Sequence, residues 1–503
     1  MNEAEFAQNL TGGLQWLDFA VLGSAIVIFV VIAYLTGRRE SDTKDFFLGR
    51  RRTPALIACL SFVATEVSAL TIIGVPATGF AENWQYLQFF IGSAAARILI
   101  ALLFIPVFYK HDCTTIYEFL KHRFGSQTQY AGAIFFFITR LLASGLRLYA
   151  ACLGVSVIMG WSLQTTLVLF TVVSVAFIAF GGIKAVMWTG AFATLIFYLA
   201  GLAVAGYLIS CIDGGLSGAW QLSRDAGKLS LFNLRLSLSD PTTLWGSTMN
   251  AFFVGLVVFG TDQELVQRLL TVQTRRSSQR ALISTIVAAF PLVCLYLAVG
   301  TLLFAFYRQQ PQLPLPEKTD AILSHFVVHS LPIGLKGLVL AAIVLASIDS
   351  PLSSLSSSFV TDIYRPLVNK FASERHCLWV SRTCVVGFGI ALAVVAYLCR
   401  PLEGLLWVAF KIIGVTGGST LGVFLLGLLT KRTAKRANVV AMTLSAVAMG
   451  VLLVLSEKKV IALGWTWLIV IGTAFTFGCA YILGPIMDGR PVEHGGQAKL
   501  GED

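Results

Sequence analysis

Charge is what this chain has little of. Only 13% of its 503 residues are Asp, Glu, Lys or Arg, against 56% hydrophobic, whereas a soluble globular protein carries roughly a quarter charged residues. That scarcity excludes a soluble fold. A cysteine framework is missing too: the nine cysteines stand singly, without a CxxC pair and mostly inside apolar runs, and read as small packing residues, neither disulfides nor metal ligands. No nucleotide-binding loop is present, since GGIK at 181–184 lacks both the spacing and the Ser or Thr after lysine. The first apolar run is not expected to be a cleavable leader, because its flank (Glu3, Glu5, Asp18) is acidic where a leader is basic. The basic residues form no domain with an aromatic platform, which excludes nucleic acid as a partner despite a net charge of +11. The six histidines fall mainly at loops, among them His111, His122 and His376, as solvated or interfacial groups.

What is present is apolar length. Runs of about 20 residues, enough to cross ~30 Å of hydrocarbon as helix, recur along the chain. They give thirteen candidate spans near 16–36, 53–79, 85–109, 128–158, 163–181, 186–211, 245–266, 279–307, 335–362, 378–399, 402–429, 437–456 and 464–487. The fold class is an all-α polytopic membrane protein with no sizeable soluble domain. Lys and Arg gather in alternate loops, from GRRESDTKDFFLGRRR after the first span to KRTAKR at 431–436. By the positive-inside rule those loops are cytoplasmic, so the N-terminus lies outside and the C-terminus inside.

An ionisable group in hydrocarbon costs at least ~2.5 kcal/mol, so each one in a span needs a partner or a task. These are Glu66 in the second span, Arg97 in the third, Arg140 and Arg147 in the fourth, Asp262 and Glu264 ending the seventh, Asp349 in the ninth and Lys411 in the eleventh. Around Glu66, the residues Thr65, Ser68, Thr71, Gly74, Pro76 and Gly79 weaken the helix. A broken helix frees carbonyls that can coordinate a cation in a cavity. In the ninth span Ser347, Ser350, Ser354 and Ser357 share one helical face. Such hydroxyls either pack against a neighbouring helix or complete an all-oxygen cation site. A salt bridge from Glu66 or Asp349 to Lys411 is an alternative task for the acids. The Gly-rich first half of 411–432 lines a cavity, packs closely, or does both.

Seven motifs, DFFLGRR (45–51), SFVATEVSALTIIGVP (61–76), LFIPVFY with TTIYEFLKHRFG (103–125), GGIKAVMWTG (181–190), FGTDQELVQRLL (259–270), AAIVLASIDSPLSSLSSSFVTDIYRP (341–366) and GVFLLGLLTKR (422–432), together resemble the sodium:solute symporter family. The resemblance covers about residues 45 to 432. It implies a LeuT-type core of two inverted five-helix repeats, spans 2–6 (53–212) and 7–11 (213–432), each opening with a broken helix. An extra helix precedes them (1–52) and two follow (433–503). It also implies a sodium site made by the carbonyls of Ala64, Val67 and Ile343 and the hydroxyl of Ser347. Two departures stand out. Ala346 replaces a hydroxyl residue common in relatives, and Gly190 replaces the aspartate of a WTD motif that serves a further sodium site. Glu66, Asp349 and Ser350 are candidate ion-coupling groups, with the negative charge relocated to the two acids for sodium or, alternatively, with those acids carrying protons.

The family's solute cavity maps onto Ser68, Thr71, Gln85, Gln88, Phe89, Arg147, Phe259, Phe410 and Lys411. The sugar-clamping residues of the glucose carriers do not recur, as Phe89-Phe90 and Phe410 show. Arg147 or Lys411 either faces a solute carboxylate or neutralises Glu66 or Asp349. The implied activity is sodium-coupled symport of a small organic solute across the cell (inner) membrane, with the lipid bilayer as surroundings, no catalytic residues and no cofactor beyond the coupling ion. Proton-coupled symport and a non-transporting membrane sensor are the alternatives.

Overall fold

In hydrocarbon every backbone N–H and C=O must be satisfied within the chain, which leaves helices as the way for apolar runs like these to cross. The computed structural model describes residues 13–37, 43–348 and 351–488, and among them no strand forms. Among the described residues ten helices are long and apolar enough to cross a membrane, and the number is twelve if each of two bent pairs is one span. The further apolar segment Leu163–Ile178 is shorter.

In chain order the elements are α1 (Trp16–Gly37), α2 (Thr43–Leu48), α3 (Ala55–Glu66), α4 (Ala69–Ala81), α5 (Gln88–Lys110), α6 (Tyr117–Phe124) and α7 (Ser126–Met159). Then come α8 (Leu163–Cys211), α9 (Gly215–Asp225), α10 (Leu244–Gly260), α11 (Gln263–Leu270), α12 (Arg275–Gln309) and α13 (Ile322–Ser330). The chain continues as α14 (Leu335–Ile348), α15 (Leu352–Ser358), α16 (Glu374–Leu398), α17 (Leu405–Leu429), α18 (Arg436–Glu457) and α19 (Leu468–Met487). The fifth and sixth candidate spans are the two arms of α8, which turns at Gly182, a glycine with φ 50° that an L side chain would resist. The ninth span contains α14 and α15 and runs on as a π-helix over Phe359–Val368.

The two bent pairs are α3 with α4 and α10 with α11, each turned by 57°. In the first, Val67 (φ −87°, ψ 70°) and the extended Ser68 (ψ −179°) interrupt the helix. Backbone bonding resumes when Thr71 and Ile72 donate to the Ser68 carbonyl at 2.8 and 3.2 Å. In the second, Asp262 caps α11 by accepting from Glu264 N at 2.9 Å. Outside the spans, the basic segment after α1 is partly packed: Phe46 and Phe47 on α2 are buried, and Asp45 pairs with Lys184 at 2.5 Å.

The inner helices meet where side chains vanish. A Cβ on Gly300 of α12 would lie 2.2 Å from the Pro76 carbonyl of α4, and one on Gly79 2.5 Å from the Leu297 carbonyl. Backbone on both sides leaves no flexible atom to give way. Gly300→Ala is expected to destabilise the protein by about 1–3 kcal/mol, read as a lowered midpoint of thermal unfolding in detergent.

Candidate functional site: two cavities at a broken helix

The break between α3 and α4 opens onto two cavities. The larger encloses about 1180 Å³ of empty space, counting the part continuous with solvent, and takes its walls from the break, α5, α7, α10 and α17. Ser68, Thr71, Phe89, Arg147, Phe259 and Phe410 all border it. The smaller, of about 550 Å³ on the same measure, lies between the break, α7, α8, α16 and the ninth span, and Ala64, Ser68, Ala346 and Ser347 border it. Ser68 and Arg147 belong to both.

Charge in this region is organised as pairs. The Arg97 guanidinium, fully buried, bonds Glu66 and lies over the rings of Phe259 (4.5 Å to the centroid) and Phe90 (5.4 Å). Rings on this cation add to the carboxylate in offsetting its desolvation. Arg140 bonds the carboxylates of Asp262 and Glu264 at once. Arg268 donates to the Glu264 carbonyl at 2.7 Å and to Ser61 Oγ at 3.3 Å. Arg147 is held more loosely. Its contact with Glu264 Oε2 is 3.5 Å long, and 22% of its side chain is exposed. A guanidinium has five N–H donors, so Arg147 keeps donors for a ligand.

The smaller cavity sets the hydroxyls of Thr65, Ser68, Ser144, Thr171, Ser174 and Ser347 among apolar side chains and Arg147. Ser347 Oγ donates to the Ile343 carbonyl at 2.9 Å, which turns its lone pairs outward. Ser68 stands at the N-cap of α4 yet makes no side-chain capping bond. The non-helical ψ of Val67 (70°) takes the Ser68 N–H off the Ala64 carbonyl, and Thr71 N donates to Ser68 O where an unbroken helix would donate to Val67 O. Ala64 and Thr65, in the last turn of α3 where carbonyls carry partial negative charge, border this space.

Several expected site residues lie elsewhere. Gln85 and Gln88 do not line the larger cavity. Gln85 bonds Ser230 Oγ at 3.2 Å, and buried Gln88 donates to the Thr242 carbonyl at 2.9 Å and accepts from Asn233 N at 3.0 Å, so both tie the 212–244 segment to the bundle. Lys411 is also outside the cavity: it pairs with Glu457 of α18 at 2.8 Å. The alternative of a bridge from Glu66 to Lys411 gives way to Glu66 with Arg97, and Arg147 reaches Glu264, not Glu66. Glu66 borders the larger cavity and not the one that holds Ser347, and its carboxylate is bonded to Arg97. Asp349 and Ser350 lie outside the described residues. At Gly190 an added Cβ would meet Ser61 Oγ at 2.7 Å, so no carboxylate fits there as packed.

The partners of Arg97, Arg140 and Asp262 were not visible in sequence. Arg97 is 31 residues from Glu66 and Arg140 is 122 from Asp262; the available signal was the count of charges inside spans. Removing one member of the Glu66–Arg97 pair leaves a buried charge alone. Arg97→Met and Glu66→Met are each expected to cost about 3–5 kcal/mol, while the double Met variant costs less than either. Thermal unfolding of the three variants decides this.

The sodium:solute symporter family model matches residues 46–445. A sodium/sialic acid symporter of Proteus mirabilis is 30% identical over 86% of this chain and 88% of its own length. A sodium-coupled monocarboxylate transporter of Danio rerio is 28% identical over 81% of this chain and 66% of its own length. Among solved structures, the substrate-bound outward-open state of a sodium-coupled sialic acid symporter superposes with a TM-score of 0.84 at 26% identity, covering 94% of this chain and 98% of that one.

Proposed function

Because the chain belongs to the sodium:solute symporter family, we propose that it carries a small organic anion across the cell membrane together with sodium, by alternating access. The observation that carries the choice of solute is Arg147, loosely paired and bordering both cavities. A carboxylate there receives guanidinium donors and sits near the N-terminus of α4, where unsatisfied N–H groups favour an anion. Phe89, Phe259 and Phe410 offer apolar walls to the rest of the solute. The relatives named above carry carboxylic acids, sialic acid and monocarboxylates, which supports the same class.

Sodium is assigned to the smaller cavity, on the carbonyls of Ala64, Val67 and Ile343 and the Ser347 hydroxyl. Ala64 and Ser347 border that cavity, and Ile343 is bonded to Ser347. A bound ion would then tie the broken span to α14, and release into a low-sodium cytoplasm would free that contact. One charge moving down 100 mV supplies about 2.3 kcal/mol before any concentration gradient. Glu66 suits this reading better than proton carriage, since protonating it would strip a buried guanidinium of its counter-charge. The two pairs bent by the same 57° are assigned as the openings of the repeats 53–212 and 213–432. The basic loops place the N-terminus outside and the C-terminus in the cytoplasm.

Arg147 also supplies the coupling. Its charge opposes a cation in the smaller cavity until a carboxylate neutralises it, so solute and ion each raise the other's affinity. In vesicles, an inward sodium gradient at equal pH is expected to drive accumulation of a labelled organic acid, and a pH gradient without sodium is not. Arg147→Gln should raise the solute KM at least tenfold and weaken the dependence of sodium affinity on solute. Lys411→Gln should change KM less than threefold. Equal effects of the two substitutions would remove Arg147 from the solute site.

A further inference from the structure

Two hydroxyls in the smaller cavity have no use in the account so far. Ser144 on α7 and Ser174 on α8 both border it, at 3% and 5% exposure, and neither Oγ has a hydrogen-bond partner among the described residues. An unsatisfied buried hydroxyl is costly, and a serine within a helix ordinarily satisfies itself on a carbonyl one turn back. Thr171, a neighbour on the same wall, does so by donating to the Leu167 carbonyl at 2.7 Å. Ser144 and Ser174 do not.

Ala346 borders the same space. The side chain that leaves the cation site one oxygen short therefore opens into the cavity that holds the two unpartnered oxygens. We infer that Ser144 and Ser174 supply the coupling cation, directly or through one ordered water, with the oxygen contacts that Ala346 lacks. Arg147, on the same wall, opposes a cation until a carboxylate neutralises it, and the oxygen atoms of the cavity favour one. Ala64 and Thr65, in the last turn of α3 where carbonyls carry partial negative charge, border it, Ser347 Oγ presents lone pairs, and a hard cation takes oxygen ligands of this kind. The consequence is a sodium site that leans toward α7 and α8, so that the ion joins the broken span to three neighbouring helices instead of one.

This inference rests on sodium coupling, and its test separates the two. Sodium-dependent stabilisation of the purified protein without solute, measured as the shift in thermal midpoint against potassium at equal ionic strength, reports binding by linkage. A wild type that shows no such shift overturns the sodium assignment itself. With the wild-type shift in hand, Ser144→Ala/Ser174→Ala is expected to need at least fivefold more sodium for half-maximal stabilisation and for half-maximal uptake. The solute KM at saturating sodium should be unchanged. Adding Ala346→Ser to the double variant should restore most of the lost sodium affinity, an outcome that a general packing defect would not produce. The midpoint in potassium alone shows whether the variants are folded. Unchanged sodium dependence would mean that water alone satisfies the two hydroxyls and would overturn the inference. A raised solute KM at saturating sodium would move the hydroxyls to the solute and overturn it equally.

Discussion

Both cavities of this protein depend on one interruption in a hydrogen-bond ladder. Inside a bilayer the backbone must satisfy itself, and a helix that fails to do so is tolerated only where it borders protein or a cavity. At Val67 and Ser68 the helix fails, and both cavities meet there. The two ends of the broken helix carry opposite partial charges. Ala64 and Thr65 in the last turn of α3 border the smaller space, while Leu70 and Thr71 in the first turn of α4 stand with Arg147 beside the larger, aromatic one. One local break thus provides a cation-favouring and an anion-favouring surface within a few residues of chain.

Such a break needs rigid surroundings, and the buried charges provide them. Glu66 is held by Arg97, whose guanidinium lies over two rings, and Arg140 ties α7 to both acids at the second break. These pairs satisfy each other inside the protein and fix where the broken ends sit. Arg147 differs by being held through one long contact. A ligand competes with little there, which makes it the charge in this group most open to binding.

Much of the architecture was legible in the chain. Apolar run length marked the spans, the glycines and Pro76 after Glu66 marked a weak helix, and the motif order identified the family. The site was legible only in part. Of the candidate residues, Ser68, Thr71, Phe89, Arg147, Phe259 and Phe410 border one cavity. Gln85, Gln88 and Lys411 do not, because a polar side chain near a span end serves equally well to anchor a loop or meet a surface acid. Which of these it does depends on residues far away in sequence, such as Asn233, Thr242 and Glu457.

By itself the sequence determined composition, span positions, the sites of weakness in the helices and the residues that could bear charge in the membrane. These follow from short-range rules, since hydrocarbon thickness and backbone bonding act on contiguous residues. Only the tertiary structure decided which charge met which, that Glu66 belongs to Arg97, that Lys411 faces Glu457, and that Ser144, Ser174 and Ala346 border one cavity. Ion pairs and cavity walls are made by groups dozens to hundreds of residues apart, and a single charge carries no record of its partner until the helices pack.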